Sequence, residues 1–364
     1  MPPTRLVPLA TLTDGERAAW GELAASAVEP NPFFEPAGLL PAVRHLGGRG
    51  VELLIVADGD RWLGAVPVRR LRRWRRLPGR ALATWRHPHC YLGTPLVAPG
   101  AVATVAAALT GAAADHGAAS LVLEWVHADG PVAGALHRAG RPLTYLSIER
   151  AALRRREAPT YLDETVRGTH RKELRRLRRV LGRELGSELR CREHAGMASA
   201  VESFLDLESA GWKRTHGTSL RSVPGHAEFF RELCTGFAAD GRLRLLSLEA
   251  GDRSVAMKCD LIAGSEEFCF KIAHDETLAR RSPGVLLEVD AVEVFHADPA
   301  RTLMDSCADA DNSMINRLWP DRRTVATLVI PQPGLRGLPV ALGTRLVTSA
   351  REWKGSYGSA RAQR

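Results

Sequence analysis

The segment from Phe268 to Glu288, FCFKIAHDETLARRSPGVLLE, concentrates the residue types that could do chemistry. Phe268, Phe270 and Ile272 alternate as one face of a strand should, and a polar loop follows. Ser282 is placed to cap a helix, and Pro283 suits its first position, where no N–H is needed. Gly284 lets another group come close to the backbone. Arg280 and Arg281 stand just before the helix. Free amides at a helix start, flanked by arginines, make an anion site suited to a pyrophosphate. The chemistry predicted is the holding of a phosphate-bearing acyl carrier.

Acyl transfer to an amine needs the amine neutral, so a base, or a carboxylate acting through water, would assist. Lys271, His274 and Asp275 lie at or past the end of the strand, Glu276 follows them, and Glu288 sits one helical turn into the core. Asp305 ends a later strand and would orient the acceptor amine. In the GWK segment, Glu208, Trp212 and Lys213 would line an acceptor pocket or clamp an anion. The same tryptophan would equally serve as a helix-end ring packed on a sheet. Cys307 has no histidine context and reads as a buried thiol. His87, His89 and Cys90 crowd three potential ligands into four residues, an awkward geometry for a metal, so none is predicted. The six cysteines include no CxxC pair, which excludes the common zinc and redox-dithiol patterns.

These residues need elements to position them. Strands are predicted at 242–249, 254–263 and 267–274, separated by turns at Gly251-Asp252 and Gly264. A helix over 283–296, a strand near 302–306, a short helix over 312–318 and a strand near 323–331 follow. Helices over 198–210 and 224–239 come before. The first half reads as two strands within 51–68, a helix over 102–116, a strand over 120–128, a short helix and a further strand. Between them, 151–185 is basic and helix-prone, with Leu174, Leu177, Leu181 and Leu185 on one apolar stripe. The chain of 364 residues suits two domains. The predicted division is 1–155, 156–333 and a weakly patterned tail, 334–364.

A net charge of +9 permits anionic partners such as CoA phosphates, nucleic acid or an acidic membrane face. Two arginine runs, 69–80 and 171–179, could contact tRNA or another polyanion, although charge runs are usually solvated faces. The N-terminus has no apolar run of signal-peptide length, and no segment has the roughly 18–20 apolar residues of a membrane span. A cytoplasmic protein is expected.

The order of three antiparallel strands, then strand, loop, helix and strand, is that of the GNAT acyltransferase fold. CYLGTPLVAPG at 90–100, HRKELRRLRR at 170–179, LESAGWKRTHGTSL at 207–220, FKIAHDETLARRSPGVLLE at 270–288 and DSCADADNSMINRLWP at 305–320 carry a closer likeness. Over roughly residues 30–330 the chain resembles two-lobed GNAT-superfamily N-acyltransferases of the CelD-like group and, more distantly, Fem aminoacyltransferases. The resemblance implies an α+β fold of tandem GNAT-like lobes, with mixed, mostly antiparallel sheets flanked by helices. It implies acyl transfer, with acetyl-CoA or another acyl-CoA as donor and a small-molecule or peptidyl amine as acceptor, by direct attack on the thioester. Against the family pattern R/Q-x-x-G-x-G/A, Arg281 and Gly284 match, with Ser282, Pro283 and Val285 between and beside them, and Leu286 replaces the last small residue. The Fem likeness implies an alternative donor, aminoacyl-tRNA, and a non-catalytic binding protein on the same scaffold is a third reading.

Overall fold

Strand-forming runs and their turns set the architecture. The computed structural model describes residues 2–156, 161–194, 196–211 and 216–362 and, of 162, 163 and 352–362, the backbone alone. The strands are β1 (Thr4–Pro8), β2 (Glu52–Asp58), β3 (Arg61–Leu71), β4 (Ala81–Thr84), β5 (Leu96–Val97), β6 (Ser120–His127) and β7 (Leu143–Arg154). They continue with β8 (Leu189–Glu193), β9 (Leu243–Ala250), β10 (Arg253–Ala263), β11 (Glu266–His274), β12 (Leu303–Asp305) and β13 (Asp321–Pro331). Their contacts divide the chain into one unit of residues 1–36, 49–149 and 324–364 and a second of 37–48 and 150–323. The exchanged segments, 37–48 and 324–364, left no signal in the sequence.

In the first unit β1, β2, β3 and β4 form an antiparallel meander, with β5 beside β3. Ala81–Ala83 of β4 then pair in parallel with Ser120–Val122 of β6, and β6 pairs antiparallel with β13. In the second unit β8, β9, β10 and β11 form another antiparallel meander. Glu266–Phe268 of β11 pair in parallel with Leu303–Asp305 of β12, which pairs antiparallel with Ala152–Arg154 of β7. Both units thus share one topology, mixed but mostly antiparallel, with helices packed against the strands. The expected α+β class is the observed one.

The second unit buries apolar side chains on both faces of its sheet, as long apolar strands require. On one face the helix Gly168–Glu184 contributes Leu174 and Leu181, with Leu177 and Leu185 partly buried, so the leucine stripe is its docking face. These pack with Leu286, Leu287, Ala291 and Phe295 of the helix Pro283–Ala297 and with Leu246, Leu248 and Val255 of the strands. On the other face, Phe204 of the helix Ala198–Ala210 and Phe229 and Phe230 of the helix His226–Ala239 surround Phe270; Phe230 and Phe270 stack with centroids 6.1 Å apart. The segment 334–364, expected to be weakly patterned, contains the helix Leu338–Ala362. It is seated by Val340, which is buried among Trp74, Leu77 and Tyr145.

Leu181→Ala is expected to lower stability by about 2–5 kcal/mol, because the side chain is wholly buried between helix and sheet. Arg179→Ala, exposed on the opposite side of the same helix, is expected to change it by less than about 0.5 kcal/mol. Chemical unfolding of the two variants checks both.

Candidate functional site

The parallel pairing of β11 with β12 stops at Phe268 and Asp305, while β11 continues to His274. Beyond Phe268 no described strand pairs with that edge of β11, so the two strands part into a fork. β12 turns away because Cys307 takes a left-handed conformation (φ 51°) and Ser306 N–H donates to Ala151 O at 3.2 Å. Asp305 fixes the branch point. Its carboxylate is fully buried, accepts from Arg150 Nη2 at 2.6 Å and Arg323 Nη1 at 3.2 Å, and takes the Cys307 N–H at 2.9 Å. Burial works against this charge, but the two guanidiniums outweigh it and hold the group below the usual carboxylate range. Asp305 is therefore a structural clamp, not the acceptor-orienting group its position suggested.

From the fork, β11 leads through a 3-10 turn, Glu276–Arg281, to the helix Pro283–Ala297. Asp275 caps the turn, accepting from Thr277 N–H at 3.0 Å and Thr277 Oγ1 at 2.6 Å, and pairs with Arg253. Against its partial burial, Thr277 and Arg253 hold its carboxyl low, which makes it a poor base. Ser282 precedes the helix in a left-handed conformation (φ 51°), and its hydroxyl makes no capping bond. The expected serine cap is absent, so the first amides of the helix have no side-chain partner from it. A Cβ on Gly284 would stand 3.4 Å from Nδ1 of His274 and 3.8 Å from Ile272 Cδ1. The close approach predicted at this glycine is thus made by the His274 ring.

The arginines differ. Arg280 is exposed and makes no ion pair with the described residues. Arg281 forks onto Glu184, its Nε 3.0 and 2.9 Å from the two carboxylate oxygens and its Nη2 also in contact. Val285 packs at the edge of the core. Leu286 is buried, and its N–H already donates to Ser282 O at 3.1 Å, so neither its side chain nor its amide is offered to a ligand.

One other expected site residue belongs to the framework. Glu288 is buried and accepts from Lys258 Nζ at 2.9 Å, an ion pair that ties the helix to β10. Burial disfavours the Lys258 charge, but Asp260 and Glu288 more than offset this and hold it well above its ordinary value. Asp260, at 3.4 Å from the same ammonium, is pushed well up by burial and by Glu267 and Glu288, against the pull of Lys258. Burial also pushes up the neighbouring Glu267, which pairs with Arg244. This buried network was not read from the sequence, although Lys258 and Asp260, two apart in an otherwise apolar strand, were its visible sign.

Lys271 and His274 both lie beyond a bulge in β11, on opposite faces of the strand. Cys259 pairs with Lys271 but Asp260 with Cys269, so Phe270 is an extra residue. The single apolar face expected of Phe268, Phe270 and Ile272 is therefore broken. Phe270 and Lys271 share the face of the helix His226–Ala239, and Ile272 and His274 meet Gly284. On the first of these faces Lys271 acts on His226, which burial pushes down, the Lys271 charge pushes further, and Glu208 opposes. His226 had not been singled out; it follows Pro224-Gly225 at a helix start. Glu208 is buried and accepts the Leu220 N–H at 2.8 Å. Trp212 and Lys213 lie outside the described residues. A Cβ on Gly211, next to them, would stand 2.5 Å from Glu276 Cδ, so this segment abuts the 3-10 turn.

Among the described residues no group of His, Cys, Asp and Glu is arranged to hold a metal ion, and no helix is long and apolar enough to cross a membrane. His87, His89 and Cys90 are buried in the first unit, where His89 N–H donates to His87 Nδ1 at 3.3 Å.

Residues 168–328 match the model of the acetyltransferase (GNAT) domain family. No curated protein matches the sequence. Among solved structures, FemX is 9% identical, with a TM-score of 0.57 over 86% of this chain and 96% of its own. A conserved protein of unknown function from Bacteroides thetaiotaomicron is 11% identical, with a TM-score of 0.55 over 90% of this chain and 100% of its own. The C-terminal domain of a putative lysylphosphatidylglycerol synthetase from Agrobacterium fabrum is 12% identical, with a TM-score of 0.53 over 91% and 97%. At these identities the likeness is one of fold.

Removing one partner of the buried pair leaves the other charge unmatched. Lys258→Ala is expected to cost about 3–5 kcal/mol, and Lys258→Met combined with Glu288→Leu to recover most of that loss. Unfolding midpoints of the single and double variants check the expectation.

Proposed function

We propose that the chain is an acyl-CoA-dependent N-acyltransferase whose donor lies along the open edge of β11 and whose pyrophosphate is held at the start of the helix Pro283–Ala297. One observation carries this reading: the fork beyond Phe268 and Asp305 leads directly to a helix start without a side-chain cap, within the segment that matches the acetyltransferase domain. The unpaired edge supplies backbone N–H groups to polarise a thioester carbonyl, with no reorganisation needed at the moment of reaction. The acceptor amine attacks the carbonyl carbon, and the thiolate of the carrier leaves; no covalent enzyme intermediate is needed. Of the expected bases, Asp275, Glu288 and Asp305 are engaged in ion pairs. His274, beside Gly284, is the group we assign to the donor side. His226, with Glu208 and Lys271, is the one we assign to the acceptor side. Arg280 is available to a phosphate, and Arg281 would exchange Glu184 for one. An acetyl group, transferred to a small-molecule or peptidyl amine, is the finer form of the reading, as is membership of the CelD-like group.

Use of aminoacyl-tRNA is the second reading, favoured by a specific surface. Lys172, Arg175, Arg176, Arg179 and Arg183 recur at three- and four-residue spacing on the side of their helix opposite the leucines. Arg179 and Arg183 line an open groove at its end.

The test of the donor site uses Gly284→Ala and Gly284→Val. Alanine makes only an ordinary contact with His274, whereas the valine methyls press on that ring. Calorimetry with acetyl-CoA is expected to show affinity lowered by at least about ten-fold in the valine variant, or 1.4 kcal/mol, with a small change in melting temperature. Unchanged affinity in the folded variant removes the pyrophosphate role.

The donors are separated by changing Lys172, Arg176, Arg179 and Arg183 to glutamine. Arg178 is left in place because it binds Asp290 and Leu189 O. Turnover with acyl-CoA is expected to survive. Activity with charged tRNA, if present, would fall by orders of magnitude at moderate salt, since four phosphate contacts would go. A loss confined to charged tRNA establishes the second reading.

A further inference from the structure

The described side chains of the helix Leu338–Ala362 seat it by one face. Val340 and Thr344 are buried, Gly343 lies against Leu77 and Pro78, and Arg351 reaches the Tyr145 carbonyl at 2.8 Å. Its other face carries Leu338, Leu342 and Leu346 at four-residue spacing, with Leu335 in the turn before it. These leucines are 53%, 51%, 72% and 89% exposed, and they are four of the five large exposed apolar side chains among the described residues. A clustered stripe of this kind marks an interaction surface, unlike scattered single leucines.

Charge identifies the occupant. Arg336 and Arg345 are exposed beside the stripe. Residues 334–364 hold six basic side chains, Arg336, Arg345, Arg351, Lys354, Arg361 and Arg364, against Glu352 alone. Two copies of such a helix would oppose like charges, which disfavours self-association through it. An anionic surface is complementary. In the sequence, Trp353, seven residues after Leu346, and Tyr357, four further on, keep the helical period of the leucines, and both residue types favour the boundary between lipid and water. The helix is not apolar enough to cross a bilayer. Leucines on one side, arginines beside them and aromatic residues further along are the composition of a helix that lies in a membrane surface.

We propose that the Leu335–Leu346 stripe docks this protein on an anionic phospholipid bilayer, with the helix lying in the headgroup region. The inference does not rest on the acyltransferase reading.

The test is co-sedimentation of the full chain with vesicles of phosphatidylcholine alone or with about 30% phosphatidylglycerol. The unaltered protein is expected to partition at least about ten-fold more onto the anionic vesicles, and roughly 0.5 M salt to weaken that binding. Leu338→Gln, Leu342→Gln and Leu346→Gln together are expected to lower anionic binding about ten-fold, with the melting temperature little changed because the side chains are exposed. Arg336→Gln with Arg345→Gln is expected to lower it in the same direction, an independent check should the triple variant fold poorly. The variant with Lys172, Arg176, Arg179 and Arg183 changed to glutamine is expected to keep binding. Failure of the unaltered protein to bind anionic vesicles at low salt overturns the proposal. So does binding that is lost with the 172–183 charges and kept without the leucines. A dimer in sedimentation velocity that dissociates on leucine substitution, with no vesicle binding, assigns the stripe to a second copy and also overturns it.

Discussion

One buried carboxylate carries two guanidiniums at the point where β11 and β12 stop pairing. Arg150 and Arg323 offset the cost of burying the ionised Asp305, which in turn offsets theirs. Arg323 also reaches Glu266, at the start of β11, so the clamp joins β7, β11, β12 and β13 through side chains. Backbone pairing would let β12 run on beside β11. The clamp ends it at Asp305 and turns the chain through Cys307. Where the fork opens, and hence which stretch of β11 is left with an open edge, follows from this single arrangement.

The Phe270 bulge puts Phe270 on the face of Lys271 rather than on that of Ile272 and His274. A regular strand would place Phe270, Ile272 and His274 together and Lys271 opposite. The extra residue instead gives Phe270 and Lys271 to the phenylalanine-rich face and Ile272 and His274 to the face of the helix Pro283–Ala297. His274 lies at the helix start on one of these faces, and His226 stands beside Glu208 and Lys271 on the other. On the proposed reading these are the donor and the acceptor sides of one strand edge.

The elements of the second unit were legible because each has strong local signals. Pro283 and Gly284 at a helix start, Gly251 and Gly264 at turns, and leucines at three- and four-residue spacing all act within a few residues of themselves. The helix start itself was found this way, although its cap was misread: Ser282 adopts a left-handed backbone that no serine signal specifies. The roles of Glu288 and Asp305 were not legible. Their partners, Lys258, Arg150 and Arg323, are distant in sequence, and a carboxylate in a buried pair looks the same in a sequence as one in a catalytic site. The bulge was equally hidden, since FCFKIAH reads as an unbroken strand. In the tail, Leu335, Leu338, Leu342 and Leu346 do follow a helical period, but glycines at 334, 337 and 343 and Pro339 weaken the signal that packing on Trp74, Leu77 and Tyr145 restores.

The two units repeat one topology, yet the connections that follow β4 and β11 differ. In the first, the chain leaves β4 at Thr84 and reaches the helix Val102–Asp115 through Pro99, Gly100 and Ala101, with no basic residue between Cys90 and Ala101. Its nearest arginine, Arg86, is spent on the Trp125 ring at 4.1 Å and on Cys90 O at 3.1 Å. In the second, Arg280 and Arg281 stand directly before the uncapped helix. A fork alone offers backbone amides; a fork with cations at the following helix offers a place for a phosphate as well. The repeat supplies the same scaffold twice, and the second copy alone carries arginines directly before its helix, the placement on which the proposed donor site rests.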